Sequence, residues 1–312
     1  MEPTPEPNRA TSEARTYLDY GFRLEQGGSL ERALDAYREA LAAAADPGDE
    51  IEARIRIART YRSMGDFDRS FDEARTALRI ADGVGADDLA AEAMNVEIGA
   101  LQMRGEFEAA DVLALTAIER ARSPRVRGIT LQNLGRGAAE RRDFETSDAY
   151  FDKSIAAFRE AEYDFGVAVS MTNAARAALD RGNVDRSIEI GHEAILLARR
   201  LNALDVLLTT VQNQAAAFVA LGQLDSAELL LTEALGHFTS ARNQQRQAEC
   251  LEIMGQLNEG RPDYDTAIRC YNRGRDLAVA ATDPVLADRL AKRIEALHNA
   301  VDSERRADDR AP

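Results

Sequence analysis

Along nearly the whole chain, apolar residues recur at the three-and-four spacing of one helix face, with polar residues between them. Glycine or other turn residues interrupt the pattern roughly every 15–20 residues, as consecutive helix pairs require. No run of alternating Val, Ile or Thr is long enough to read as a strand. The pattern therefore predicts an all-α chain of antiparallel helix pairs.

The interruptions are themselves periodic. Aligned turns centre on Gly28, Gly65, Gly105, Arg142, Gly182, Gly222 and Pro262, at spacings of 37, 40, 37, 40, 40 and 40 residues. Two residues after each centre stands an apolar side chain: Leu30, Phe67, Phe107, Phe144, Val184, Leu224 and Tyr264. Five after it stands a small one: Ala33, Ser70, Ala110, Ser147, Ser187, Ala227 and Ala267. Twelve after it the residue is again small: Ala40, Ala77, Ala117, Ser154, Ala194, Ala234 and Gly274. Seven before it come Gly21, Ala58, Gly135, Ala175, Ala215 and Gly255, with Ile98 as the exception. Packed helices approach to roughly 8–10 Å, and small residues in fixed columns permit that approach. Asp66, Glu106, Asp143, Asn183 and Asp263 precede second helices, where an acidic or amide side chain suits the helix N-terminus. A fixed period of this size means a solenoid.

Segments such as GDFDRSFDEARTALRI (65–80) and GSLERALDAYREAL (28–41) resemble the second helix of the tetratricopeptide repeat. Seven copies agree in phase. The period of 37–40 exceeds the family's usual 34, and the early first-helix aromatic is replaced by Tyr17, Arg54, Met94, Leu131, Met171, Val211 and Leu251. Such long repeats are similar to those of kinesin light chains, spindle-orientation adaptors and bacterial peptide-responsive regulators. The resemblance implies a right-handed superhelical solenoid of seven helix pairs, over about 13–48, 50–85, 87–123, 125–162, 164–202, 204–242 and 244–282. Residues 284–301 read as a capping helix, with Leu286, Leu290, Ile294, Leu297 and Val301 on one stripe and Arg289, Lys292, Arg293 and Glu295 off it. Residues 1–12 and 302–312 read as disordered tails.

Composition changes this picture little but narrows the partners. The chain has 54 Asp+Glu against 39 Lys+Arg, a net charge of −15, which argues against nucleic acid or an anionic membrane as the main partner. Only Lys153 and Lys292 are lysines. Tryptophan is absent, so the interior must rest on Ala, Leu, Ile and other small residues. Nothing resembles a secretory leader, no stretch approaches the ~18 apolar residues of a membrane span, and two cysteines are too few for a disulfide framework. These features predict a cytoplasmic protein.

No catalytic, metal-binding or cofactor motif stands out. His192, His237 and His298 are scattered. Cys250 and Cys270 fall in the two helices of the seventh pair, where buried packing thiols are the plain reading and a redox pair the other. One constellation is in phase with the repeat. Nine residues before the turn centre stand Asn133, Asn173 and Asn213, with Asn95 one position off. Gln132, Thr172 and Gln212 precede the three. Arg136 and Arg176 follow the first two by three residues, and Arg59 shares the arginine column. Residues three apart share a helix face.

The resemblance places first helices along a concave surface, so these side chains are expected to line a groove. An amide can bond both the C=O and the N–H of an extended chain, and arginine can select an acidic side chain or a terminal carboxylate. Two plainer roles compete: asparagines bonding their own helices, and Arg136 and Arg176 pairing with Glu140 and Asp180, four residues on. The expected function is a non-enzymatic scaffold that holds an extended segment of another protein. A regulator responding to a small peptide and a self-assembling repeat protein are the alternatives, with a monomer or weak homodimer as the oligomeric state.

Overall fold

A computed structural model describes the backbone of residues 13–26 and 29–308, and the side chains of 13–25 and 29–299. Among the described residues there are fifteen α-helices and no strand. The chain divides into two compact units, Met1–Gly166 and Val167–Pro312.

The first unit holds α1 (Glu13–Gln26), α2 (Leu30–Ala42), α3 (Pro47–Ser63), α4 (Phe67–Val84), α5 (Asp87–Met103), α6 (Phe107–Arg120), α7 (Pro124–Glu140) and α8 (Phe144–Glu160). Each odd-numbered helix packs on the even one that follows, and α1, α3 and α5 also pack on the next odd helix directly. The second unit takes all but the first turn of α9 (Asp164–Asp180), then α10 (Val184–Leu201), α11 (Leu204–Ala220), α12 (Leu224–Ser240), α13 (Gln244–Gly260), α14 (Tyr264–Ala280) and α15 (Pro284–Asp308). There α11 meets α13 in the same way.

The small columns lie at the helix contacts. All seven residues five after the turn centre have no exposed surface, and neither do Ala40, Ala77, Ala117, Ser154, Ala194 and Ala234 twelve after it. The column seven before the turn has a partner that the alignment did not pick out, nine residues after the turn on the second helix. Where the first helix has glycine, the second has a large ring. A Cβ on Gly21 would come within 2.5 Å of the Tyr37 ring, and one on Gly135 within 2.9 Å of Phe151. Gly255 faces Tyr271 still more tightly. Where the first helix has the bulky Ile98, the second has Ala114, and both are fully buried. In these four pairs size is exchanged between the two helices, so the gap is filled. Burying a ring such as Phe151 contributes roughly 1.5–3 kcal/mol.

Four of the five expected helix caps form. The side chains of Asp66, Asp143, Asn183 and Asp263 accept from the backbone N–H three residues on. Glu106 makes no cap bond. Its longer side chain instead meets Arg104 at 2.8 Å. The turn centre Gly28 lies outside the described residues. Gly65, Gly105, Gly182 and Gly222 have φ of 80, 78, 86 and 70°, and Arg142 takes the same left-handed backbone at 62°.

Helix α15 runs to Asp308, beyond the end at 301 expected from its apolar stripe. Leu286, Leu290, Ile294 and Leu297 are buried against Ala248, Ala267, Tyr271 and Ala278. The tail expected at 302–312 is helical as far as Asp308, while the Val301 side chain, the tail expected at 1–12 and residues 309–312 lie outside the description. Of the residues expected on the polar face, Arg289 reaches back to Glu252 at 2.7 Å and Arg293 to Glu259 at 3.2 Å, which staples α15 to α13.

Candidate functional site

The asparagine and arginine columns fall on α3, α5, α7, α9 and α11, the first helices of their pairs. Asn95 and Asn133 sit at the seam where α5 and α7 meet, with only 3% and 8% of their surface exposed. Asn95 Nδ2 donates to Thr130 Oγ1 at 2.9 Å, and Asn133 Nδ2 donates to Asn95 Oδ1 at 3.0 Å. Gln102 completes the seam: its Nε2 donates to the Asn133 carbonyl at 2.7 Å, and its Oε1 accepts from Arg136 at 2.6 and 3.0 Å. The whole set forms a ladder between helices in which each polar group has a partner. In the second unit Asn213 is equally buried, and its Nδ2 donates to the Thr172 carbonyl at 3.4 Å. The Thr172 and Thr210 hydroxyls lie 2.6 Å apart beside it.

The arginines differ from one another. Arg59 on α3 donates to Glu92 on α5 at 2.9 Å. Arg176 is exposed and bonds Asp180 on its own helix at 2.9 and 3.0 Å, the intrahelical pairing its spacing allows. Arg136 meets no carboxylate. Its hydrogen bonds go to the neutral Gln102 and, at 3.4 Å, to Asn133 Oδ1. Burial pushes the Arg136 guanidinium below its ordinary range, against a pull the other way from Glu140.

Beside these lies Arg62, which was not singled out from the sequence. It leaves the last turn of α3 and lies along Gly99 of α5, its guanidinium in the space that a side chain at Gly99 would fill. Its side chain makes no hydrogen bond or ion pair with another described residue. Burial pushes it down to about 10, and the like charges of Arg136 and Arg59 push the same way, with Glu25 opposing. Protein surrounds Arg62, yet part of its surface still meets solvent.

No protein-family model and no curated protein matches the sequence. Solved structures do resemble the fold. One is a Rap protein complexed with competence and sporulation factor, at TM-score 0.60 and 17% identity over 87% of this chain and 76% of that one. Another is a signal-transduction ATPase with a tetratricopeptide repeat sensor from Pyrococcus horikoshii, at TM-score 0.60 and 12% identity over 90% of this chain and 45% of that one. A third is a thermophilic tetratricopeptide repeat protein of Thermus thermophilus, at TM-score 0.50 and 19% identity over 66% of this chain and 99% of that one. This is a tetratricopeptide-repeat fold.

Gln132 and Asn173 are half-buried, Gln212 is exposed, and none of the three bonds another described residue. The thiols offer little nucleophilicity. Burial pushes Cys250 up to about 12, with neighbouring Cys270 adding to it, and burial raises Cys270 as well. Cys250 donates to the Leu231 carbonyl at 3.3 Å, as a packing thiol does. His192 and His298 are exposed, and His237 packs edge-on against Phe238. Among the described residues, no group of three His, Cys, Asp or Glu side chains is placed to hold a metal, and no helix is long and apolar enough to cross a membrane.

Proposed function

We propose that this protein is a non-enzymatic interaction scaffold that binds an extended segment of another protein on the first-helix faces of its units. One observation carries the reading. Gln132, Asn173 and Gln212 project from first helices with both ends of their amides unused, while the adjoining Asn133 and Asn213 are committed to neighbouring helices. An open amide can take a backbone C=O and N–H together, so it holds an extended chain whatever its side chains. The ligand-facing positions thus include Gln132 in the first unit and Gln212 in the second, each one residue before a buried asparagine. Asn173 belongs with them because it is the asparagine left open.

The Rap protein with the similar fold was solved with competence and sporulation factor, which favours a regulatory variant of the same reading with a small diffusible ligand. Both thiols are free, as a reducing compartment leaves them, and we place the protein in the cytoplasm.

The test compares pull-downs from native lysate by wild type and by Gln132→Ala/Asn173→Ala/Gln212→Ala. These three side chains have no internal bonds, so the variant should keep the circular dichroism spectrum and urea midpoint of wild type. A partner held by wild type and lost by the triple variant supports the reading. A partner held equally by both overturns it.

A further inference from the structure

The first unit contains a cationic cluster whose charge the protein leaves unbalanced. The Arg62 guanidinium lies against Gly99 and Arg136 bonds Gln102, three residues further along α5, so both flank one stretch of that helix, and the charges of Arg59 and Arg136 both act on Arg62. Glu92 neutralises Arg59. Arg136 has only amide oxygens for partners, and Arg62 has none. The charged groups that act on Arg62 are Arg59 on its own helix, Arg136 on α7 and Glu25 on α1. Glu25 already accepts from the Tyr37 hydroxyl at 2.7 Å. Enclosing an uncompensated guanidinium is costly, and doing so beside a second one is more so. The surrounding packing accommodates the arrangement, since Gly99 leaves the volume that Arg62 occupies.

We propose that Arg62 and Arg136 form an oxyanion-binding site on the first-helix face of the first unit, taking a carboxylate or phosphate group. The Arg62 fork has all five N–H donors free, and a planar or tetrahedral oxyanion presents paired oxygens at matching spacing. Arg136 is held in place by Gln102, so its position is set before the anion arrives. Arg176, in the second unit, belongs to no such site because Asp180 satisfies it. The proposal deepens the scaffold reading by assigning an anchor for an acidic group on the bound segment, and rests on that reading only for the source of the anion.

The test uses succinate and inorganic phosphate, each against sodium chloride at equal ionic strength, with the full-length chain. Binding is followed by calorimetry and by the unfolding midpoint. Wild type should bind at least one oxyanion saturably, and Arg62→Met should weaken it by roughly tenfold or more, the effect of losing a charge-assisted fork. Response to succinate alone marks the source as a carboxylate, and response to phosphate alone marks a phosphate group. Without anion, Arg62→Met should unfold at the same midpoint as wild type or a higher one, because it removes a charge nothing balances. If that variant does not fold, the side-chain Nε–Hε signals of ¹⁵N-arginine-labelled wild type decide, with Arg62→Lys as the assignment. Movement of the Arg62 signal on titration supports the site. Equal responses to all three salts, or unchanged affinity in Arg62→Met, overturn it. That failure leaves the pull-down with Gln132, Asn173 and Gln212 unaffected, so the two readings fail separately.

Discussion

Replacing Asn133 by alanine separates the two roles an asparagine column can have. In the structure the side chain is 8% exposed, and its Nδ2 is a donor to Asn95 Oδ1, itself on a residue 3% exposed. Truncation leaves that oxygen buried without its partner, which costs about 1–3 kcal/mol. Alanine's better helix propensity returns roughly 0.5 kcal/mol. The bond from Arg136 is long at 3.4 Å and Arg136 keeps Gln102, so its loss adds little. The net expectation is about 1–2 kcal/mol of lost stability, read as a lower urea midpoint at unchanged slope. Asn95→Ala should cost a similar amount, since it strands the Asn133 amide. The double variant removes donor and acceptor together and should be less damaging than the sum by about 1 kcal/mol. A cost below about 0.5 kcal/mol for the single variants, or strict additivity, would mean the ladder is not holding α5 to α7. The asparagines would then be available to a ligand, and the assignment of ligand contact to Gln132, Asn173 and Gln212 would fail.

Three further outcomes follow from the packing and the titratable groups. Gly135→Ala drives a Cβ to 2.9 Å from the Phe151 ring and should destabilise by about 1–3 kcal/mol in urea unfolding, with partial rescue by Phe151→Leu. Arg142→Gly should raise stability by about 0.5–1 kcal/mol, because Arg142 holds a φ of 62° at a turn position where every counterpart but Pro262 is glycine; a lower midpoint would contradict it. Burial raises the folded-state values of Cys250, to about 12, and of Tyr37 and Tyr271. Groups raised in the folded state stabilise fully below their unfolded values and lose that contribution as pH climbs. Urea midpoints should therefore be flat from pH 7 to 9, where the ordinary thiol value lies, and fall between about 9 and 12; a flat profile to pH 11 would refute this.

The helix contacts were readable because they depend on volume, and volume is written in residue type. Seven aligned turns place a small residue where two helices cross, and each such residue is buried. Even the exception, Ile98, obeys the same rule once Ala114 is set beside it. Cap residues were readable for a similar reason, and Glu106 departs from the pattern through one additional methylene. The candidate site was harder because it depends on depth. Periodicity puts Asn133 and Gln132 on neighbouring parts of one helix surface, but which of them meets solvent is set by how closely α5 and α7 approach, and that is a property of two helices. A signal of the seam was present: Thr130 stands three residues before Asn133, and Gln102 one repeat earlier, so polar groups cluster where a solvated row would need none. Arg62 was missed for the opposite reason. Agreement between repeats was the search criterion, and Arg62 matters because nothing in the other repeats agrees with it: only this one has a glycine at 99 to lie against and no acid to meet. A repeat array fixes its fold through the positions its copies share, and a single ligand must be recognised through the positions they do not. Under the proposed function, binding specificity is therefore assigned to the departures from the repeat consensus on first helices.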